Sequence, residues 1–146
     1  MKHLKKFNEE VESFDNIIPD IMNMSLDIKD EDPNYTVNVF SNTKDVNWRQ
    51  SRLCIDIFYG DDNIIIPNDE LYNFLERVDK YLIDSGFKAN GIGYSYVDNE
   101  HDVDSDQHYT KFKDMRALIN KIDDEIEDID SIRLTYIPNR KLIWNT

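Results

Sequence analysis

The sequence predicts an α+β fold, in which a mixed, mostly antiparallel sheet carries helices mainly on one face. Apolar residues alternate at every second position in several stretches and recur at spacings of three and four in others, within a chain of 146 residues. The first period is typical of half-buried strands and the second of one helix face, and the length suits one compact domain. The predicted order is α-α-β-β-α-β-α-β-β, with an N-terminal helical segment, 1–28, and a single α+β domain, 35–146.

Two helices are predicted at the start of the chain. Apolar residues spaced by three and four indicate a helix over about residues 2–15. A second, short helix is expected to begin near Pro19, which suits a first helical turn, and to reach about Leu26. The polar residues 27–34 are then expected to form a linker.

Two strands and a well-marked helix follow. Apolar residues alternate over 35–39 and again over 52–59, and we expect these two strands to pair antiparallel. Asn68 then offers an N-cap and Gly86 a C-terminal stop, with an apolar stripe between them. A helix is therefore predicted between these two residues.

The last part of the chain alternates strands with one more helix. Residues 91–97 form a predicted strand, and the acidic residues 98–108 are expected to be a loop or a strand edge. A helix over about 110–127 and a strand over 132–136 follow, since their apolar residues have the corresponding periods. Residues 142–144 are expected to return as a hairpin.

The composition of the chain argues against two classes of function. Thirty Asp and Glu residues against 17 Lys and Arg give a net charge of −13. Nucleic-acid binding depends on cations that neutralise phosphates, so direct binding of nucleic acid is not expected. No apolar run approaches the length of about 18 residues that a membrane span needs. We therefore expect no membrane protein. Export is not expected either, because the N-terminus lacks a following apolar core for a signal peptide.

One cluster of residues has the composition of a metal site. Residues 98–108 hold five carboxylates beside two histidines, and imidazole with carboxylate suits zinc or iron. A calcium loop is not expected, because Gln107 stands where glycine is needed and Lys113 where a bidentate glutamate is needed. The alternative to a metal site is a solvated acidic loop or edge. The candidate ligands are His101, Asp102, Asp104, Asp106 and His108.

No catalytic motif is evident in the sequence. The histidines stand in no pattern that pairs them with a nucleophile, and no glycine-rich phosphate loop is present. Cys54 lies within an apolar run, without an adjacent basic residue to lower its pKa. We expect it to be a reduced thiol buried as a small hydrophobe. The sequence favours a protein without enzymatic activity and without a cofactor.

Two surfaces are candidates for binding a partner. The first predicted helix joins a basic tip to an apolar stripe that could dock in a groove. The acidic run 123–130 opposes the dipole of the last helix and would suit a basic protein partner. The alternatives are a stripe that packs on its own domain and an acidic face that is merely solvated. The candidate partner-binding residues are Lys2, Leu4, Phe7, Val11, Phe14, Asp123, Asp124 and Glu127.

The first ten residues, MKHLKKFNEE, resemble the openings of short proteins of tailed phages that infect Bacteroidetes, including the crAss-like group. They are also similar to the head-targeting leader of T-even type phages in Met1, Lys2, Phe7 and Glu10. The resemblance implies a phage protein of the host cytoplasm that is drawn into or onto the virion by its N-terminus.

Three functions are open on this basis. The first is a non-enzymatic phage protein that acts by protein–protein contacts, as a virion-associated or assembly component. The second is an acidic anti-defence or host-takeover inhibitor whose carboxylates mimic nucleic acid. The third is a metal-dependent enzyme built on residues 98–108. We favour the first, because the leader is joined to a domain without recognisable chemistry.

Overall fold

A computed structural model gives the architecture of the chain, and it describes residues 14–42, 52–60, 64–97, 107–124 and 128–139. These residues form an α+β fold, as predicted. The helices and strands within the described ranges, in chain order, are α1 (Phe14–Met24), α2 (Leu26–Glu31), β1 (Tyr35–Asn42), β2 (Arg52–Tyr59), α3 (Asp69–Asp84), β3 (Phe87–Val97), β4 (Gln107–Phe112), α4 (Met115–Asp123) and β5 (Ile129–Pro138).

The strands form one sheet in the order β1-β2-β5-β3-β4, and every neighbouring pair is antiparallel. The register aligns apolar residues across the sheet. Val37 lies opposite Ile57, and Ile57 lies opposite Ile132. Tyr94 continues the row on the other side of Ile132. Because side chains alternate between the two faces of a strand, this register gives the sheet one continuous apolar face.

The described helices cover that apolar face. Their buried apolar side chains belong to the same core cluster as the inward residues of the strands. The prediction of helices mainly on one face is therefore confirmed for the described residues. The helix predicted between Asn68 and Gly86 is confirmed as α3: the backbone N–H of Leu71 donates to Oδ1 of Asn68, with N and O 2.8 Å apart. Gly86 ends it with a φ of 96°, which glycine adopts most readily.

The helix boundary predicted at the start of the chain is wrong. α1 runs without interruption through Asn16 and Pro19, where a break and a new helix were expected. The physical reason is burial, since Ile17 and Ile21 lie one turn apart on the helix and both enter the core. The rest of the helix predicted over residues 2–15 lies outside the described residues.

The linker predicted over 27–34 is partly wrong, because Leu26–Glu31 form the short helix α2. One apolar side chain accounts for this. Ile28 stands between charged residues in the sequence, but its side chain is fully buried. Ser25 connects α1 to α2, and its hydroxyl donates to the backbone O of Met22 at 2.6 Å. Both helices therefore pack on the sheet through a few isoleucines.

The start of the last helix was also predicted wrongly. Residues 110–112, expected to be helical, form the end of β4, where Thr110 pairs with Tyr94 of β3. α4 begins only after Asp114, whose Oδ1 accepts a hydrogen bond from the backbone N–H of Ala117 at 2.9 Å. Cross-strand pairing thus outweighs the helical spacing of the apolar residues until this N-cap is reached.

The remaining strands are longer than predicted. β3 begins at Phe87 rather than at 91, and β5 extends beyond 132–136 at both ends. Residues 107 and 108, expected in an acidic loop or strand edge, begin β4, which is an edge strand of the sheet. The hairpin predicted at 142–144 lies outside the described residues.

A tyrosine–aspartate pair connects the sheet to α3. Tyr136 is fully buried and its hydroxyl donates to Oδ1 of Asp79 at 2.6 Å. Burial raises the pKa of Asp79, and the hydrogen bond from Tyr136 lowers it by less. A raised pKa means that the folded state binds this proton more tightly than the unfolded state. Its contribution to stability is therefore complete at low pH and is lost as the pH rises through the folded-state pKa.

We expect Asp79→Asn to leave the free energy of unfolding at pH 7 unchanged or higher. The amide retains an acceptor for Tyr136 and has no charge to desolvate. Tyr136→Phe removes the donor and should cost about 1 kcal/mol. Urea denaturation at pH 4 and pH 7 measures both variants. The account is contradicted if Asp79→Asn is as destabilised at pH 7 as Tyr136→Phe.

Candidate functional site

The second face of the sheet carries the candidate functional site. We call this surface the open face, because the described helices bury their apolar side chains on the other face. It contains a shallow depression of about 570 Å³. The residues that line this depression are Arg52, Asp56, Phe58, Asn90, Gly91, Ser95, Tyr109, Lys111, Ser131, Arg133 and Thr135.

An ion pair lies at the centre of the open face. Asp56 of β2 and Arg133 of β5 are opposite each other in the register. Nε of Arg133 donates to Oδ1 of Asp56 at 2.8 Å, and Nη2 donates to Oδ2 at 3.0 Å. The Asp56 side chain is 10% exposed and that of Arg133 is 57% exposed. The carboxylate therefore fixes the orientation of a guanidinium that reaches solvent.

The ion pair also stabilises the charged form of Arg133. The hydrogen bonds and the charge of Asp56 raise the pKa of the guanidinium. Two of its three nitrogens are engaged with the carboxylate, and among the described residues Nη1 has no acceptor. A guanidinium held in this way can offer its remaining N–H groups to a carboxylate or a phosphate.

A glycine separates Arg133 from a second cation. The register places Gly93 of β3 between Arg133 and Lys111 of β4. The hydroxyl of Tyr109 lies 2.9 Å from the position that a Cβ on Gly93 would occupy. The hydroxyl therefore covers the glycine on the open face. Burial raises the pKa of Tyr109, so the phenol is protonated at neutral pH.

Aromatic side chains are exposed on the same face. Phe40, Phe58 and Tyr109 have exposed fractions of 41%, 37% and 43%. Phe58 and Tyr109 stand at the two ends of one cross-strand row, with Ser131 and Ser95 between them. At the usual spacing of strands the two aromatic residues are about 14 Å apart. The row thus places two serines between two exposed aromatic residues.

The prediction for Cys54 is wrong. The thiol was expected in the apolar interior, but the alternation of β2 places Leu53 and Ile55 in the core and Cys54 on the open face, half-buried. Burial raises its pKa, and the hydrogen bond with Thr135 and the charge of Arg133 lower it by less. The thiol is therefore protonated at neutral pH, which makes it a poor nucleophile.

The predicted metal site cannot be placed within the described residues. His101, Asp102, Asp104 and Asp106 lie outside them. His108 contributes its backbone to β4, opposite Tyr96, and its side chain lies outside the description. Among the side chains that are described, no group of three His, Cys, Asp or Glu residues could hold a metal ion. The metal hypothesis stays a prediction.

The predicted partner-binding residues are also only partly described. Lys2, Leu4, Phe7, Val11 and Glu127 lie outside the described residues. Phe14 begins α1, with its side chain outside the description. Asp123 and Asp124 are exposed at the end of α4, as either a binding surface or a solvated face requires. The structure does not bring these two acids together with the open face.

Sequence reasoning missed the open face, although the alternation in β2 already indicates which of its residues point outward. The apolar alternation of β2 identifies the inward residues, and the same alternation places Arg52, Cys54, Asp56 and Phe58 on the opposite side. What could not be read was the strand order, which brings Arg133 beside Asp56 from 77 positions away. Cations and aromatics on separate strands become a site only after the sheet is assembled.

The helical side has a smaller depression, of about 440 Å³, between α1 and α3. Its polar groups are engaged in joining the helices. The hydroxyl of Tyr81 donates to Oδ2 of Asp20 at 2.6 Å, and burial with this hydrogen bond raises the pKa of Tyr81 to about 12. Arg77 forms a salt bridge with Asp27 of α2 at 3.0 Å. These polar residues therefore have a structural role, since their contacts hold the helices together.

Comparison of the chain with protein-family models, with curated protein sequences and with solved structures finds no match in any of the three. Within the described ranges, none of the helices is long and apolar enough to cross a membrane. The fold and the site therefore define the class of the protein by themselves. It is an α+β protein in which an antiparallel sheet has helices on one face and a depression lined by cations and aromatics on the other.

Proposed function

We propose that this protein is non-enzymatic and acts by protein–protein contacts, with the open face as its binding surface. The observation that carries the proposal is the set of exposed aromatics around the Asp56–Arg133 ion pair. Exposed aromatics and arginine are the side chains that contribute most to protein interfaces. A sheet also presents them on a rigid backbone, which lowers the entropic cost of binding.

The chemistry of the open face supports binding rather than catalysis. Both oxygens of the Asp56 carboxylate accept hydrogen bonds from Arg133, so they are engaged within the protein. The pKa values of the Cys54 thiol and the Tyr109 phenol are both raised. A thiol or phenol that acts as a nucleophile needs the opposite, a lowered pKa or an adjacent general base.

The biological setting of the proposal comes from the sequence of residues 1–10. We propose a component of a tailed phage that works in the host cytoplasm or becomes part of the virion. A protein partner is favoured over nucleic acid, because a chain of net charge −13 repels phosphates at a distance. The basic partner expected for the acidic end of α4 is a separate prediction that concerns a different surface.

Site-specific photo-crosslinking tests the binding surface. Benzoylphenylalanine replaces Phe58 on the open face in one variant and the exposed Ile83 on α3 in a matched control. In cells that make the protein naturally, we expect a discrete protein adduct from position 58 and none from position 83. Adducts from position 83 alone, or the absence of any adduct from 58, would overturn the proposal. Mass spectrometry of the adduct then shows whether the partner is a virion component.

A further inference from the structure

We infer that the partner segment that binds the open face is acidic, with carboxylates that pair with Arg133 and Lys111 and apolar side chains that pack on Phe58 and Tyr109. This inference rests on the proposed function and adds the chemistry of the partner to it. Three lines of observation support it, from the charge, the geometry and the aromatic residues of the surface.

The charge of the open face is opposite to that of the chain. Three cations line the depression, Arg52, Lys111 and Arg133, and the one carboxylate among the lining residues is Asp56. Asp56 is already paired with Arg133, and no salt bridge is found for Arg52 or Lys111 within the described part of the chain. Counted over the described residues that line it, the depression is a local positive surface in a protein of net charge −13. Charge complementarity then selects a negatively charged ligand.

The geometry suits a carboxylate in particular. The guanidinium of Arg133 is held by Asp56 and has Nη1 available among the described residues. Lys111 lies two strands away, on the far side of Gly93, and the protonated hydroxyl of Tyr109 covers that glycine. A carboxylate placed beside the Tyr109 hydroxyl, which itself covers Gly93, can accept hydrogen bonds from the phenol and from the guanidinium.

The aromatic residues require more than charge in the ligand. Phe58 and Tyr109 stand at the two ends of the cross-strand row that contains Ser131 and Ser95, and both expose ring surface. Burial of such rings contributes much of the energy of a protein interface. An acidic segment that also carries apolar side chains matches both the rings and the cations.

Single-stranded nucleic acid would also meet cations and aromatics, but it fits less well. Its affinity depends on the number of phosphates that are neutralised, and only three cations line the depression. The strongly negative remainder of the chain opposes a polyanion more than it opposes a short acidic segment. Nucleic acid is therefore an outcome of the test rather than the inference.

Selection from a random dodecapeptide display library, with the purified full chain as bait, tests the inference. We expect the enriched peptides to be rich in Asp and Glu and to carry aromatic or aliphatic residues. Arg52→Gln/Lys111→Gln should lower the affinity for a selected synthetic peptide at least about tenfold, as measured by fluorescence anisotropy. Lys80→Gln/Lys121→Gln, which removes the same charge from α3 and α4, should leave its affinity unchanged.

The following results would contradict the inference. Basic or neutral selected peptides, no selection at all, or equal loss in both double variants would overturn it. Tighter binding of a thymidine dodecanucleotide than of the selected peptides would assign the surface to nucleic acid. A dimer in sedimentation that Arg52→Gln/Lys111→Gln dissociates would assign it to a second copy of this acidic chain. A crosslink from position 58 to a partner segment that is not acidic would support the open face as the binding surface. It would contradict the inference that the partner segment is acidic.

Discussion

Gly93→Ala should lower the free energy of unfolding by about 3 kcal/mol or more, because the added methyl group has no space. A Cβ at this position would lie 2.2 Å from the backbone O of Thr110 and 2.9 Å from the hydroxyl of Tyr109. The tyrosine ring can rotate away, but the carbonyl belongs to the neighbouring strand. β4 must therefore move away from β3 to accommodate the methyl group.

Urea denaturation measures the loss, and Ser95→Ala is the matched control. Ser95 lies two residues along the same strand and also faces the open side, so its substitution should change stability by less than about 0.5 kcal/mol. Hydrogen exchange of the β4 amides in Gly93→Ala should show the strand released from the sheet. Wild-type stability with protected β4 amides would show that β3 and β4 are not as close as described.

Arg133→Met should cost about 2 kcal/mol, because it leaves the carboxylate of Asp56 without its two hydrogen bonds. The Asp56 side chain is almost buried on a central strand, so water replaces the guanidinium poorly. The cost is smaller than for a fully buried pair, since solvent already screens the more exposed Arg133.

The matched double variant, Asp56→Leu/Arg133→Met, should be more stable than Arg133→Met alone. It removes the unpaired carboxylate and places two apolar side chains next to each other across the strands. A double-mutant cycle by urea denaturation at pH 7 measures the coupling. If the losses of the single variants simply add, the ion pair does not hold the two side chains together.

The α+β class and the inward faces of the strands could be predicted because both follow from local spacing. Leu53, Ile55 and Ile57 alternate in the sequence and all three are buried. α3 was also predictable, since Asn68 and Gly86 mark its ends and its buried stripe lies between them. In these segments the local preference and the tertiary packing agree.

The errors arose where packing overrides a local preference. The helical spacing of Phe112, Met115 and Ile119 favoured a helix from residue 110, yet β4 pairs with β3 up to Phe112. Pro19 was taken for the beginning of a helix, although it lies within α1. Cys54 was placed in the core because its neighbours are apolar, while strand alternation turns it outward.

The positive charge of the open face could not be predicted, because the net charge of a whole chain does not show where its cations gather. The value of −13 favoured basic partners and directed attention to the acidic runs. Arg52, Lys111 and Arg133 stand far apart in the sequence, and only the strand order β2-β5-β3-β4 places them around one depression. A strongly acidic protein can thus place three cations and one carboxylate around a single depression.

Hydroxyl-radical footprinting tests most directly whether the open face is the binding surface. The free protein is compared with its complex with the partner that photo-crosslinking identifies, isolated from cells that make the protein. Labelling of each residue is measured by mass spectrometry. We predict that Phe40, Phe58 and Tyr109 are labelled in the free protein and protected in the complex, while Ile66 and Ile83, exposed elsewhere, stay labelled in both. Protection of Ile66 and Ile83 with Phe58 and Tyr109 still labelled would contradict the account.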